Sequence, residues 1–410
     1  MSIEIRNATP DEYPALIDVI STAFLDRPDV ARVATQVRPL WDPARTWIAL
    51  DGARVCGSFR SWATELTLPG LGRLPAAAVA AVTVLPTHRR RGILTGLAAA
   101  EHAAIRERGE AMALLYASEH GIYGRFGYGS ATRHATWTVD LGHTRVLAPV
   151  GDTGTVELVT PDVAIRDTIR DTYDAWRRTR PGELRRRDFT WDMRLGLEEE
   201  AWGEPWKGFV ALHRDAAGHA DGYLRYKAKN EWDQLPRNRL EVQDLVGLTD
   251  EAEGALWAFL GSVDLVASLR AEGRSPAERL PWRLSNPRAA TLTELADGMW
   301  VRLFDVPRSL AARRYERAGS LVLDVIDDDA VGGRWRVALE ASPDGATCVA
   351  TDRSPDLTLP VAALGSVYLG AHDLRDVALR TGVDEHRAGA LAEASAVFGT
   401  LREPWCSTFF

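Results

Sequence analysis

The sequence predicts an α/β (α+β) chain: two tandem units, each a mixed central sheet flanked by helices, followed by a smaller α+β unit. Three observations carry this expectation. An alternation of short strands and amphipathic helices surrounds a strand that runs straight into a basic, glycine-marked helix start at Val82–Leu94. Past about residue 145 the order partly repeats without the basic junction, and past about 285 it gives way to paired strands around an acidic loop. The units are placed at 1–145, 146–285 and 286–410, and 410 residues suffice for two or three domains with cores of their own.

In the first unit, Ile3-Glu4-Ile5-Arg6 reads as a short strand, and Thr9-Pro10-Asp11-Glu12 reads as a capping box with proline at the first helical position. Tyr13, Leu16, Ile17, Ile20 and Phe24 recur at helical spacing and should cover the sheet. Asp51-Gly52 between two apolar runs is a hairpin signal, and Leu68-Pro69-Gly70 marks a further turn. Val82, Val84 and Leu85 continue as a strand that Pro86 stops. From Gly92, the residues Ile93, Leu94, Leu97, Ala98, Ala104 and Ile105 form an amphipathic helix ending at Gly109, and a strand follows over 111–117.

The junction between that strand and helix is a cradle for an anion. The first N–H groups of a helix have no intrahelical acceptor and, with the helix dipole, favour a phosphate. Gly92 admits a close approach, and Arg89, Arg90 and Arg91 add positive charge, so a pyrophosphate would fit. The bland reading is a solvated basic turn. The spacing is neither a P-loop nor the glycine fingerprint of dinucleotide-binding folds. Arg89-Arg90-Arg91-Gly92-Ile93-Leu94 instead resembles the Arg/Gln-X-X-Gly-X-Gly/Ala signature of the GCN5-related N-acetyltransferases (GNAT), with Leu94 at a position where the signature has Gly or Ala.

Acetyl transfer to an amine needs two proton movements: a base takes a proton from the ammonium, and an acid assists the departing thiolate. A phenol, with a pKa of about 10, stays protonated at neutral pH and suits the acid role. Tyr123 lies in Tyr-X-X-X-Gly-Tyr shortly after the strand at 111–117 and is the expected acid, whereas Tyr116 and Tyr128 read as core tyrosines with bonded hydroxyls. Glu119 and His120 are near in sequence, but a better base candidate is the tail Glu403-Pro404-Trp405-Cys406-Ser407-Thr408-Phe409-Phe410. Burial of Trp405, Phe409 and Phe410 would dock it and carry in the α-carboxylate, whose pKa of about 3.5 apolar surroundings would have to raise.

Together, Thr-His-Arg-Arg-Arg-Gly-Ile-Leu, Ala117–Gly129 and the final phenylalanine resemble the Eis (enhanced intracellular survival) family of N-acetyltransferases over nearly the whole chain. The resemblance implies two tandem GNAT folds and a sterol carrier protein-like domain. It implies acetyl-CoA as co-substrate, no metal, and a homohexamer. It implies acetylation of aminoglycosides or related polyamines, with Tyr123 as acid and the Phe410 carboxylate as base. By the same resemblance Val82, Thr83, Val84, Arg90, Arg91, Gly92, Ile93, Leu94, Thr95, Ser118 and Glu119 contact acetyl-CoA, with Arg89 adding charge, and Asp26 lines the amine pocket. Relatives can carry an acidic residue beside the final phenylalanine; this chain has Phe409.

In the second unit, a helix from Pro161 to Trp176, strands at 207–213, 221–227 and 240–246, and a helix around 250–260 repeat the order, but Gly247-Leu248-Thr249-Asp250-Glu251 lacks the arginine and glycine of the cradle. Glu198-Glu199-Glu200 reads as a solvated face. In the third, strands at 321–325, 334–339 and 346–351 precede a strand-helix end at 355–370 that resembles sterol carrier protein folds. That likeness raises a non-enzymatic lipid-binding or scaffold protein as an alternative. Protein-lysine or arylalkylamine acetylation is another.

Composition narrows the classes further. A net charge of −8 and a basic cluster without interleaved aromatics argue against nucleic acid as a partner and fit small amines. No membrane span or secretory leader is read, and Cys56, Cys348 and Cys406 form no Cys-X-X-Cys pair, which fits reduced thiols in a cytoplasmic protein. Cys406 reads as a packed thiol.

Overall fold

The carboxylate of Glu12 accepts a hydrogen bond of 2.8 Å from the Thr9 N–H, closing the expected capping box ahead of helix Tyr13–Ala23. Tyr13, Leu16, Ile17 and Ile20 turn inward onto the sheet as the spacing requires, but Phe24, at the helix end, is 56% exposed. These features belong to a computed structural model that describes residues 3–198, 203–329 and 332–410. Of the acidic run at 198–200, Glu198 is exposed and the other two lie outside the described residues.

Among the described residues the strands form two seven-stranded sheets, a five-stranded sheet and a two-stranded ribbon. In the first sheet the order is Ile3–Asn7, Thr46–Asp51, Arg54–Thr67, Arg73–Val84, Met112–Tyr116, Met299–Leu303 and Gly129–Ser130. The Asp51-Gly52 hairpin forms, with Asp51 opposite Arg54. The second sheet runs Ala290–Asp297, Arg133–Asp140, Val266–Arg274, Asn238–Gly247, Ala220–Lys229, Phe209–Arg214 and Thr155–Val159. The halves therefore exchange strands across the expected boundaries at 145/146 and 285/286: Arg133–Asp140 pairs in the second sheet, and Met299–Leu303 enters the first.

The third sheet contains Gly319–Asp327, Gly333–Ser342 and Gly345–Ala350 as an antiparallel run, with Leu357–Pro360 parallel to the first of these. Its core is continuous with one face of the first sheet: Leu114 and Val301 pack in the same cluster as Leu323, Leu364 and Phe398. Glycines permit this contact. A Cβ on Gly365, in helix Val361–Val367, would lie 2.3 Å from the Val301 carbonyl oxygen, so only hydrogen lets the helix settle on the strand.

At the end of strand Gly319–Asp327, the carboxylates of Asp327 and Asp329 face inward while Asp328 is exposed. Arg302, fully buried, donates to Asp327 at 2.8 Å and pairs with Asp329 at 3.1 Å. Asp329 bonds His102 Nδ1 at 2.8 Å, and His102 Nε2 bonds the Tyr128 hydroxyl at 3.1 Å. Tyr128 is thus a core tyrosine with a bonded hydroxyl, and the network ties the cradle helix to the third unit. Such charges are tolerated inside because each has a partner.

Candidate active site

The parallel pairing that joins the two central strands of the first sheet is short, and this shapes the site. Arg73–Val84 pairs with Met112–Tyr116 only from Ala76 to Ala78. Beyond that the strands part: Leu115 and Tyr116 stay paired with Trp300 and Met299 along their other edge but have no partner in Val79–Val84, leaving one side of that segment open. On its other side the register slips between Ser58 and Arg60, where Ala81 takes a positive φ of 51° and its carbonyl accepts from the Ser58 hydroxyl at 2.7 Å. Thr83 and Val84 stay paired with Ser58 and Gly57, but on the side of the splay the backbone of Val82, Thr83 and Val84 is an open edge. A slot opens there.

At its end stands the cradle. Helix Ile93–Glu107 starts on Gly92, whose φ of 76° is left-handed, and buried Ile93 and Leu97 fix it to the sheet. No atom lies within 4 Å of where a Gly92 Cβ would be, so glycine is needed for its backbone angle and leaves the approach open. Leu94 is half-buried and Thr95 exposed. Of the three arginines, Arg91 is committed to Asp51 at 2.9 Å and holds that carboxyl below its ordinary range. Arg89 and Arg90 are exposed, and Arg90 itself has φ 62°.

Tyr123 ends the short helix His120–Tyr123 and is only 6% exposed. Burial pushes its phenol above the ordinary value, and the neighbouring Ser118 hydroxyl opposes the shift. It lines a cavity of about 580 Å³ together with Asp26, Val82, Ser118 and Phe410. Glu119 and His120 are exposed, with the His120 ring edge-on to Trp300 at 4.8 Å.

The tail reaches this cavity along a track of polar bonds. Glu403 accepts two 2.8 Å bonds from Arg133, and the Trp405 indole donates to the Gly273 carbonyl at 2.8 Å. The Ser407 N–H donates to Glu183 at 2.8 Å, and Arg186 Nε donates to the Thr408 hydroxyl at 2.9 Å. Glu183 is fully buried, which pushes its carboxyl up to about 7. Trp405 is buried and Phe410 half-buried, the latter edge-on to Trp62 at 5.2 Å and Tyr116 at 5.1 Å. Phe409 departs from expectation: it is 74% exposed, because the chain needs one side chain outward between inward Thr408 and Phe410. Tyr116 is a packing tyrosine, as read, but what it packs is the tail. Cys406 is buried, its thiol pushed up to about 12, which suits packing and not nucleophilic attack.

Among the described residues the second half shows no equivalent cradle. Helix Asp250–Ser262 is capped by its own Thr249, which accepts from the Ala252 N–H at 3.1 Å, and its first turn carries Asp250, Glu251 and Glu253. Those carboxylates repel a phosphate from the helix start.

Sequence reasoning missed Arg60, His134 and Asp297, which also line the cavity. Asp297 and His134 arrive through the strand exchange, and no local pattern announces that. Arg60 sits in a strand whose inward register was readable, so a buried arginine there was a signal available in principle.

Comparison with known proteins agrees with this geometry. Residues 4–131 and 182–303 each match the acetyltransferase (GNAT) domain, and residues 306–407 match the sterol carrier protein domain. An uncharacterized N-acetyltransferase of Streptomyces avermitilis is 39% identical over all of this chain and 99% of its own. The N-acetyltransferase Eis of Mycobacterium tuberculosis is 35% identical, covering 91% of this chain and 90% of its own. Eis1 from Mycobacterium abscessus superimposes with a TM-score of 0.86 at 34% identity, covering 99% of this chain and all of that one. The lipid-carrier alternative is set aside: the chain is an N-acetyltransferase of the Eis family, built from two GNAT domains and a sterol carrier protein domain.

Proposed function

We propose that the enzyme acetylates a primary amine in the cavity lined by Tyr123 and Phe410, with Tyr123 as general acid and the α-carboxylate of Phe410 as general base. The observation that carries this reading is the shared cavity, which joins a phenol, a chain-end residue and the open strand edge across nearly 300 residues of sequence. Bound acetyl-CoA supplies an acyl carbon activated by a thiolate leaving group. The N–H groups opening helix Ile93–Glu107, with Arg89 and Arg90, suit its pyrophosphate, and the free backbone groups of Val82, Thr83 and Val84 suit its pantetheine arm. Ser118, on the cavity wall, and the exposed Glu119 beside it complete the proposed contacts with acetyl-CoA. Phe410 takes the ammonium proton, directly or through water, so that nitrogen can bond to the acyl carbon. Backbone N–H groups along the open edge donate to the developing oxyanion. As the C–S bond breaks, Tyr123 gives its proton to sulfur and the second proton leaves the acylated nitrogen to restore the phenol, directly or through water; burial keeps that phenol protonated until then.

The family points to an aminoglycoside or related polyamine as acceptor, and Asp26 and Asp297 on the cavity wall suit a protonated amine. Arylalkylamine or lysine acetylation is the second reading, favoured by the aromatic Trp41, Trp62 and Phe189 beside Phe410. A homohexamer in the cytoplasm completes the proposal; light scattering measures the first. Thiol release from acetyl-CoA across a panel of amines tests the whole. Release is expected from the full chain and lost on deleting Phe410, whereas equal rates from both forms would remove Phe410 from the mechanism.

A further inference from the structure

A second lobe of about 340 Å³ adjoins the catalytic cavity and shares Trp41, Arg60, Phe409 and Phe410 with it. The two lobes differ in charge. Arg60 lines both; the first adds Asp26 and Asp297, whereas the second adds Arg185, Arg186 and Arg187 and, among the described residues, no acidic side chain. Arg186 is neutralised by Asp244 at 2.5 Å, and Arg185 is exposed. Arg60 and Arg187 are different.

Arg60 is 6% exposed, its guanidinium lies 3.6 Å above the Trp41 ring, and its Nε has no hydrogen-bond partner. Arg187 is half-buried between Trp62, at 4.2 Å, and Phe189, at 4.3 Å. Among the described residues neither has an ion-pair partner. Burial pushes Arg60 down to about 9 and Arg187 down to about 10, so both cations are held at a cost in solvation. Aromatic faces offset part of that cost, but a desolvated guanidinium without a carboxylate is unusual. An anion entering the lobe would satisfy both guanidiniums, and the forked geometry of arginine favours a carboxylate.

We infer that this lobe is a specificity subsite for an anionic group on the acceptor, so that among arylalkylamines one bearing a carboxylate is preferred over its neutral counterpart. The inference rests on acetyl transfer and on the second reading above, an arylalkylamine acceptor. The amine meets Phe410 and Tyr123 in the first lobe, the aromatic body lies against Trp41 and Trp62, and the carboxylate meets Arg60 and Arg187. A second ammonium in that lobe would face two unneutralised cations.

The test compares three acceptors of one shape at saturating acetyl-CoA: para-(aminomethyl)benzoate, its neutral carboxamide, and para-xylylenediamine. The expected result is a kcat/KM for the carboxylate about tenfold or more above the carboxamide, with the diamine lowest. Arg60→Gln and Arg187→Gln should each pull the carboxylate-to-carboxamide ratio toward one, and Arg60→Lys should retain part of it. These ratios compare acceptors on one protein sample, so partial misfolding does not change them. Thiol release from all three acceptors without a carboxylate preference would overturn the subsite and leave acetyl transfer standing. No release from any of them, with release from an aminoglycoside, would overturn the subsite together with the arylalkylamine acceptor and leave acetyl transfer standing; no release from any amine would overturn acetyl transfer as well.

Discussion

The phenol of Tyr116 donates a hydrogen bond of 2.9 Å to the carbonyl of Thr408, joining the end of a central strand to the extended tail. Its ring also contacts both terminal phenylalanines, with centroids 4.6 Å and 5.1 Å away. The tail is thereby fixed to the same strand whose splay opens the slot. The role proposed for Phe410 depends on that fixation.

Loss of the acid should be visible directly. Tyr123→Phe removes the hydroxyl and keeps the buried ring, so turnover should fall by about 10²-fold or more, in line with general acid catalysis. The melting temperature should hardly move. Steady-state kinetics beside a thermal melt distinguishes this from unfolding, and turnover within a few-fold of wild type would exclude the role.

Undocking the tail should mimic loss of its final residue. Glu183→Ala removes the acceptor of the Ser407 N–H and hydroxyl bonds, at 2.8 Å and 3.0 Å, and should lower kcat with little change in the KM for acetyl-CoA. The cradle lies elsewhere and is untouched. A rise in KM with unchanged kcat would contradict the expectation.

The cradle makes the opposite split. Gly92→Ala places a Cβ on a backbone at φ 76°, a strain of about 1 kcal/mol, and should raise the KM for acetyl-CoA several-fold at similar kcat. Because Thr249 caps the corresponding helix of the second half, calorimetry should count one acetyl-CoA per chain. Two per chain would show that the second half binds as well.

Acid should loosen the join to the third unit. Burial lowers the His102 pKa to about 4, against about 6.5 when exposed. The unfolded chain therefore binds that proton first, so the contribution of His102 to stability is present above pH about 6.5 and lost as pH falls toward 4. Melting temperatures measured from pH 7 to pH 4 should fall, and His102→Gln should flatten the slope. An equal slope in the variant would assign the acid loss to other groups.

Much of the catalytic half was readable because its signals are local. The capping box at Thr9, the Asp51-Gly52 hairpin, the strand-to-helix junction at Gly92 and the placement of Tyr123 each occupy a few adjacent residues. The repeat in the second half was readable for the same reason, as was its missing cradle. What escaped the sequence depends on pairing between distant segments. Nothing near Met299 signals that it pairs with Tyr116, and nothing near Asp329 signals that it binds His102. Phe409 misled because hydrophobicity alone favours burial, while alternation along the tail turned its neighbours inward.

The strand Met299–Leu303, lodged between Met112–Tyr116 and Gly129–Ser130, has a consequence for biosynthesis. The amino-terminal half cannot close its sheet while it leaves the ribosome, since the strand that completes it emerges only after the entire second half. Until then the nascent polypeptide presents a bare ladder of backbone donors and acceptors, open to intrusion by other strands. A gene truncated after the first GNAT domain would encode that exposed state permanently, so such a fragment should accumulate as aggregate instead of a miniature enzyme.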